Sequence, residues 1–380
     1  MTRAAAADDS CNTEIECLKN DLMIETKIVI PLVLAAVMLS GCSPASEDLA
    51  VTADVMPTEA ALSDAREQTA RAKRIHETAL VLDAHADIEI PGKASRYAGP
   101  DGLSNVSPEK MKIGGVDAVV MAIAVGPGPR TTSGYAEARA LADEKLRAVL
   151  AMTEDPANNL ALAKTAEDLV AAHEQGKGAL ILGFQNARIL GTAVSGLDEF
   201  YDLGVRVFAL THMGHNDFAD SSRPVFDGAT GQHEAVAEHG GLSALGKNAV
   251  TSINALGGVL DISQLSNVSR NLSDEEIDRI GESGGVIHVA PFRGYLFDSS
   301  DETLDQAIRA ARQVAGITED FYYPFELYWE IQDEAVQQKF LSTVSDLLGP
   351  GSIEDVIDHI DYIVSRIGID HVGIGTDFNH

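Results

Sequence analysis

His85 and Asp87 stand two residues apart in Leu80-Val81-Leu82-Asp83-Ala84-His85-Ala86-Asp87-Ile88-Glu89-Ile90-Pro91-Gly92. On an extended backbone that spacing puts both side chains on the same side of the chain. An imidazole and a carboxylate side by side at a strand exit can grip one divalent metal ion; the alternative is a polar strand end with a capping Asp. Other chemistry-bearing side chains also follow apolar runs closely. Gln185 follows 178–184, His212 follows 205–210, Gln264 follows 258–262, and Asp377 follows 371–375.

The elements that must position them can be read from the pattern. Leu80-Val81-Leu82 has the character of a buried parallel strand covered on both faces. Further strands are expected at 115–124, 178–184, 205–210, 258–262, 285–290 and 371–375. Helices are expected at 58–78, 135–152, 166–173, 197–203, 242–256, 274–282 and 353–367, with Ser273 a candidate N-cap ahead of an acidic first turn. Alternating strands and helices with polar residues at strand C-termini predict an α/β fold, a TIM-type (β/α)8 barrel. A doubly wound open sheet is the alternative, but no G-x-G-x-x-G follows the first strand. Seven strands are counted where a closed barrel has eight.

The chain has 380 residues, 45% of them apolar, and a formal net charge of -30. So acidic a surface repels nucleic acid, which excludes that class of partner. Ile28 to Leu39 is an apolar segment of signal-peptide length behind Lys27, and Met23 to Gly41 reads as the signal. Leu39-Ser40-Gly41-Cys42 resembles the lipobox of bacterial lipoproteins, in which the Cys carries the lipid. The expected organisation is an upstream extension plus signal over 1–42, a linker over 43–57 and a barrel body over 58–380. The expected location is export, with lipid anchoring to a bacterial membrane facing the periplasm. All three cysteines lie at or before position 42, so the body has no disulfide framework, and any metal in it must use His, carboxylate or amide oxygens.

Six pieces in order resemble the membrane (renal-type) dipeptidases, a family of zinc-dependent barrel hydrolases. They are Asp83-Ala84-His85-Ala86-Asp87, Gly114-Gly115-Val116, Leu210-Thr211-His212 with Ala219-Asp220-Ser221-Ser222, Gly241-Leu242-Ser243 with Gly246, Arg270-Asn271-Leu272-Ser273-Asp274, and Asp370 to Gly375 with Asp377-Phe378. The resemblance implies two zinc ions at the barrel mouth. His85 and Asp87 match ligands of one ion. The bridging Glu of the family falls on Gln185 and a fifth-strand His on Gln264, where a neutral amide brings no charge. The sixth-strand His has no counterpart, because Ser266 runs straight into Asn267-Val268-Ser269-Arg270. The expectation is therefore a barrel missing one strand at that junction and the C-terminal helices beyond His380, with at most one ion bound.

By the same resemblance Asp377 is the catalytic proton carrier, His212 contacts substrate and the reacting centre, and Arg270 pairs with the substrate carboxylate through its planar fork. The implied reaction is cleavage of dipeptides or related small amides by metal-activated water. Two other readings stay open: a metal-depleted barrel acting as a non-catalytic binding lipoprotein, and an incomplete version of an active enzyme. His215, His233 and His239 are expected in solvent, and His288 in the core or at the mouth. Residues 321–329, rich in aromatics, are a candidate lid, core or homodimer contact.

Overall fold

The computed structural model describes residues 59–93, 95, 98–227, 232–235, 237–265, 272–296, 301–315 and 333–375. The chain divides into two units, 1–61 and 62–380, and every strand lies in the second. In chain order the strands are β1 (Leu82–Asp87), β2 (Ala118–Ala124), β3 (Leu160–Leu162), β4 (Gly178–Gln185), β5 (Val205–Ala209), β6 (Phe226–Asp227), β7 (Gln232–His233), β8 (Val259–Asp261), β9 (Ile287–Val289) and β10 (Val372–Ile374).

β1, β2, β4, β5 and β8 lie side by side in sequence order, all parallel, with β3 extending the sheet on β4. β9 and β10 form a separate parallel pair, and β6 and β7 a small antiparallel hairpin. A Cβ at Gly375, just past β10, would lie 3.0 Å from His288 Cβ and 3.3 Å from Ala84 Cβ, so β10 ends against β1. The seven barrel strands are those expected. Among the described residues no strand occupies the free edge of β8, which leaves the barrel open between β8 and β9.

Helices return the chain between parallel strands, and their starts are written locally. Ser107 caps the helix Pro108–Gly114, and Thr165, Ser273 and Ser352 each form a reciprocal capping box with an acidic residue three positions on. The helix Thr132–Glu154 packs Ala138, Ala142, Leu146 and Val149 into the same core cluster as Met121 and Ile123 of β2. Phe184, Phe200, Phe208 and Phe218 are fully buried there, with Phe184 edge-on to Phe200 at 5.3 Å between centroids. Each such ring contributes roughly 1.5–3 kcal/mol through burial.

Three features differ from the sequence reading. β1 runs from Leu82 and takes Asp87 into the ladder opposite Ala122, while a register shift between Asp83 and Ala86 leaves His85 at the irregularity rather than at a paired position. The helices Glu302–Val314 and Glu334–Leu348 close a second small core around Ile308, Phe340 and Val344. His288 is exposed on β9 rather than buried. Residues 321–329, the signal with Cys42, and the Ser266–Asn267 junction lie outside the described residues. No helix among those described is long and apolar enough to cross a membrane.

Candidate functional site

Strand register sets the level of the site. Asp87 pairs with Ala122, Ala124 with Gln185, Gln185 with Ala209, and Ala209 with Asp261. His212 and Gln264 each stand three residues beyond that last pair. Because the strands are parallel, His85, Asp87, Gln185, His212 and Gln264 all come to the C-terminal ends of one sheet, where barrel enzymes hold their sites. Asp377 and Arg270 lie outside the described residues.

The His212 and Gln264 ends are stitched together by the loop between β5 and β8. Ser221 Oγ donates to the His212 carbonyl, the Ser222 N–H donates to the Gln264 carbonyl at 3.1 Å, and Ser221 bridges Leu265. The loop is itself tightly held. Asp220, 0% exposed, accepts from the backbone N–H groups of Glu238, His239 and Gly241 at 2.9–3.0 Å. Burial raises the Asp220 pKa, but those three donors outweigh it and hold the carboxyl below its usual range.

His215 was expected in solvent and is instead buried. Its Nδ1 accepts the Ser221 N–H at 3.0 Å and its Nε2 donates to the Ala235 carbonyl at 2.6 Å, which fixes a neutral tautomer. His239 donates from Nε2 to the Asn216 carbonyl at 2.8 Å. Both are loop fasteners. A polar, Gly-rich sequence gave no sign of this, because their partners are backbone atoms that the fold brings back.

Gln185 is aimed by its neighbour. Asn186 takes a positive φ of 82° at the very end of β4, a conformation that costs about 1 kcal/mol or more in a non-Gly residue. It is 1% exposed and fully engaged: Nδ2 donates to the Val125 carbonyl at 3.1 Å, and Oδ1 accepts from Arg188 N–H at 3.1 Å and Asn216 Nδ2 at 3.0 Å. The buried Arg188 guanidinium donates to the carbonyls of Gly126 and Gly134 at 3.2 and 2.8 Å, and burial lowers its pKa. These bonds tie the end of β4, at Gln185, to the loop after β2.

What the mouth presents is mainly acceptors. Glu89 Oε1, Gln185 Oε1 and Gln264 Oε1 are buried and find no hydrogen-bond partner among the described residues. Each such oxygen costs roughly 1–3 kcal/mol until a donor reaches it. Glu89 stands two residues past Asp87 in the sequence, and the same two-residue spacing that singled out His85 and Asp87 could have found it.

A metal is less well served. No group of three or more His, Cys, Asp or Glu side chains able to hold an ion forms among the described residues. Moreover Lys145, from the helix Thr132–Glu154, places Nζ 3.4 Å from Asp87 Oδ1, with side chains only 14% and 6% exposed. The β1 carboxylate already faces a cation.

Comparison with known proteins agrees with this architecture. The sequence model of the family described as "Membrane dipeptidase (Peptidase family M19)" matches residues 69–269 and 264–380. The two matched segments meet where the barrel is open. The "Dipeptidase aclJ" of Aspergillus oryzae is 28% identical over 207 residues, which are 54% of this chain and 42% of that protein. This chain spans about half the length of the curated relatives it matches. Among solved structures, the "probable dipeptidase PvdM from Pseudomonas aeruginosa" is 31% identical with a TM-score of 0.67, covering 83% of this chain and 87% of that one. A structure titled "dipeptidase AC" shares the fold at 20% identity and a TM-score of 0.57, covering 80% of this chain and 85% of that one. The family match takes in most of the sequence and both sides of the opening, and on that ground the chain belongs to the membrane dipeptidase family.

Proposed function

We propose that this chain is a hydrolase of the dipeptidase type that takes dipeptides or related small amides at the C-terminal mouth of its barrel. The observation that carries the reading is the set of buried, partnerless acceptor oxygens of Glu89, Gln185 and Gln264 at strand ends. The peptide N–H and free ammonium of a dipeptide are donors that would satisfy these oxygens. The family is one of metallopeptidases, but the residues present do not fit a pair of zinc ions. Gln185 and Gln264 bring no charge, no three-ligand cluster forms among the described residues, and Lys145 sits against Asp87. At most one divalent ion fits, held by His85 and Asp87.

In this reading Gln185 and Gln264 accept the N–H groups of the substrate, and His212 orients the carbonyl. Asp377 carries the proton to the leaving amine, and Arg270 clamps the terminal carboxylate. Arg270→Ala is expected to weaken binding of free-carboxylate dipeptides by about 10-fold or more, the worth of a charge-assisted bidentate pair, and to leave C-terminally amidated ones unaffected. Equal loss of both, read by calorimetric titration, assigns Arg270 to structure instead. The Lys145–Asp87 pair favours a second reading, a binding lipoprotein without hydrolysis, in which the same clamp operates and no product forms.

Export and lipid anchoring through Cys42 complete the proposal. Cys42→Ala is expected to release the protein from the membrane fraction with its body intact, because in this reading Cys42 carries the lipid. Undiminished membrane retention of that variant counts against lipidation.

A further inference from the structure

We infer that Lys145 is a resident cation that takes the place of a metal ion as the charge partner of Asp87, and that it sets how weakly this chain binds divalent metals. The inference rests on the reading of His85 and Asp87 as the pair that would hold an ion.

Lys145 lies on the helix Thr132–Glu154, one position after Glu144. Glu144 is taken by Lys93 on the outer surface, at 2.6 Å, where both partners are exposed. Lys145 points the other way. Its Nζ reaches Asp87 Oδ1 at 3.4 Å with only 14% of the side chain exposed. No second carboxylate partner of Lys145 is found among the described residues. It is therefore committed to the barrel mouth and not to solvent.

A zinc ion bound to Asp87 would sit about 2.0–2.2 Å from the same carboxylate. The ammonium and the dication would then be within a few ångströms of each other, in a place where screening by salt is weak. Binding the ion requires Lys145 to move away from Asp87, which lowers the apparent affinity. The neutral carboxamides at Gln185 and Gln264 belong to the same pattern, since they add no negative charge that would draw a metal ion in place of Lys145. Lys145 thus offsets the Asp87 charge without a metal ion.

The test uses the whole chain, with zinc alone as the probe. Lys145→Met and Lys145→Gln remove the charge and keep the length of the stem, and either one, if folded, suffices. Each is expected to bind one zinc ion per chain at least tenfold more tightly than the parent in calorimetric titration. Lys145→Arg keeps the charge and is expected to gain nothing. Adding Asp87→Asn to Lys145→Met is expected to abolish the gain. Should the neutral variants bind zinc no more tightly than the parent, or the gain survive Asp87→Asn, the inference fails. Should neither neutral variant fold, amine labelling of the parent decides: Lys145 is expected to react slowly without zinc and several-fold faster at saturating zinc, and unchanged protection overturns the inference. Dipeptide hydrolysis is followed in parallel, so that tighter zinc binding without turnover leaves this inference standing while counting against the hydrolase reading.

Discussion

Purified in the presence of zinc, the protein is expected to hold at most one ion per chain and to cleave dipeptides slowly or not at all. Two protein ligands of full strength make a weak site, because catalytic zinc has three. His85 and Asp87 are two, and Asp87 shares its charge with Lys145. A neutral amide at Gln185 cannot bridge two cations as a carboxylate does, and the amide at Gln264 is a poorer zinc donor than imidazole. The variant Gln185→Glu with Gln264→His is expected to raise metal affinity by an order of magnitude or more without restoring full turnover, since the ligand of a sixth strand is still lacking. Metal content by elemental analysis and release of amino acids from dipeptides are the measurements. Two ions per chain with brisk cleavage would sink this account. His288, exposed on β9, would then be the first residue to examine as a replacement ligand.

The second large effect is on stability. Asp220→Ala is expected to cost about 3 kcal/mol, the order of loss when a buried, fully engaged charge is removed from its donors. It would leave the N–H groups of Glu238, His239 and Gly241 without their acceptor and release the loop that joins the His212 and Gln264 ends. For a unit as long as residues 62–380 that is roughly a 4–5 °C fall in Tm. The pH dependence has a definite sign. The folded pKa of Asp220 lies below its unfolded value near 3.9, so its contribution is fully present above about pH 4 and is lost as pH falls through the folded value. The Tm gap between parent and variant should be constant from neutral to about pH 5 and should shrink in stronger acid. A gap of the same size at every pH would show that the carboxylate charge is not what holds the loop.

Much of the site was written locally. The pair His85 and Asp87 is a two-residue alternation, and the positions of Gln185, His212 and Gln264 follow from polar residues ending apolar runs. What the alternation also contained, and the sequence reading passed over, is Glu89. The strained Asn186 was invisible, because nothing in Gln185-Asn186-Ala187 announces a positive φ without the bonds that impose it. His215 was misplaced in solvent for a related reason. A histidine in a polar loop looks solvated until the loop folds back and Ala235 and Ser221 reach its ring.

By itself the sequence determined the order and type of the described barrel elements and the residues at their C-terminal ends. These depend on periods of two and 3.6 residues and on caps within four residues of a helix start, all of which are local. Only the tertiary structure decided the charge of the mouth. Lys145 and Asp87 are 58 residues apart in the chain, and Tyr135, whose hydroxyl pKa is pushed up to about 12 by burial and by its bond to Asp217, is 82 residues from that partner. No local pattern records such contacts, because they exist only once a helix packed outside the sheet lays its side chains over the ends of the strands.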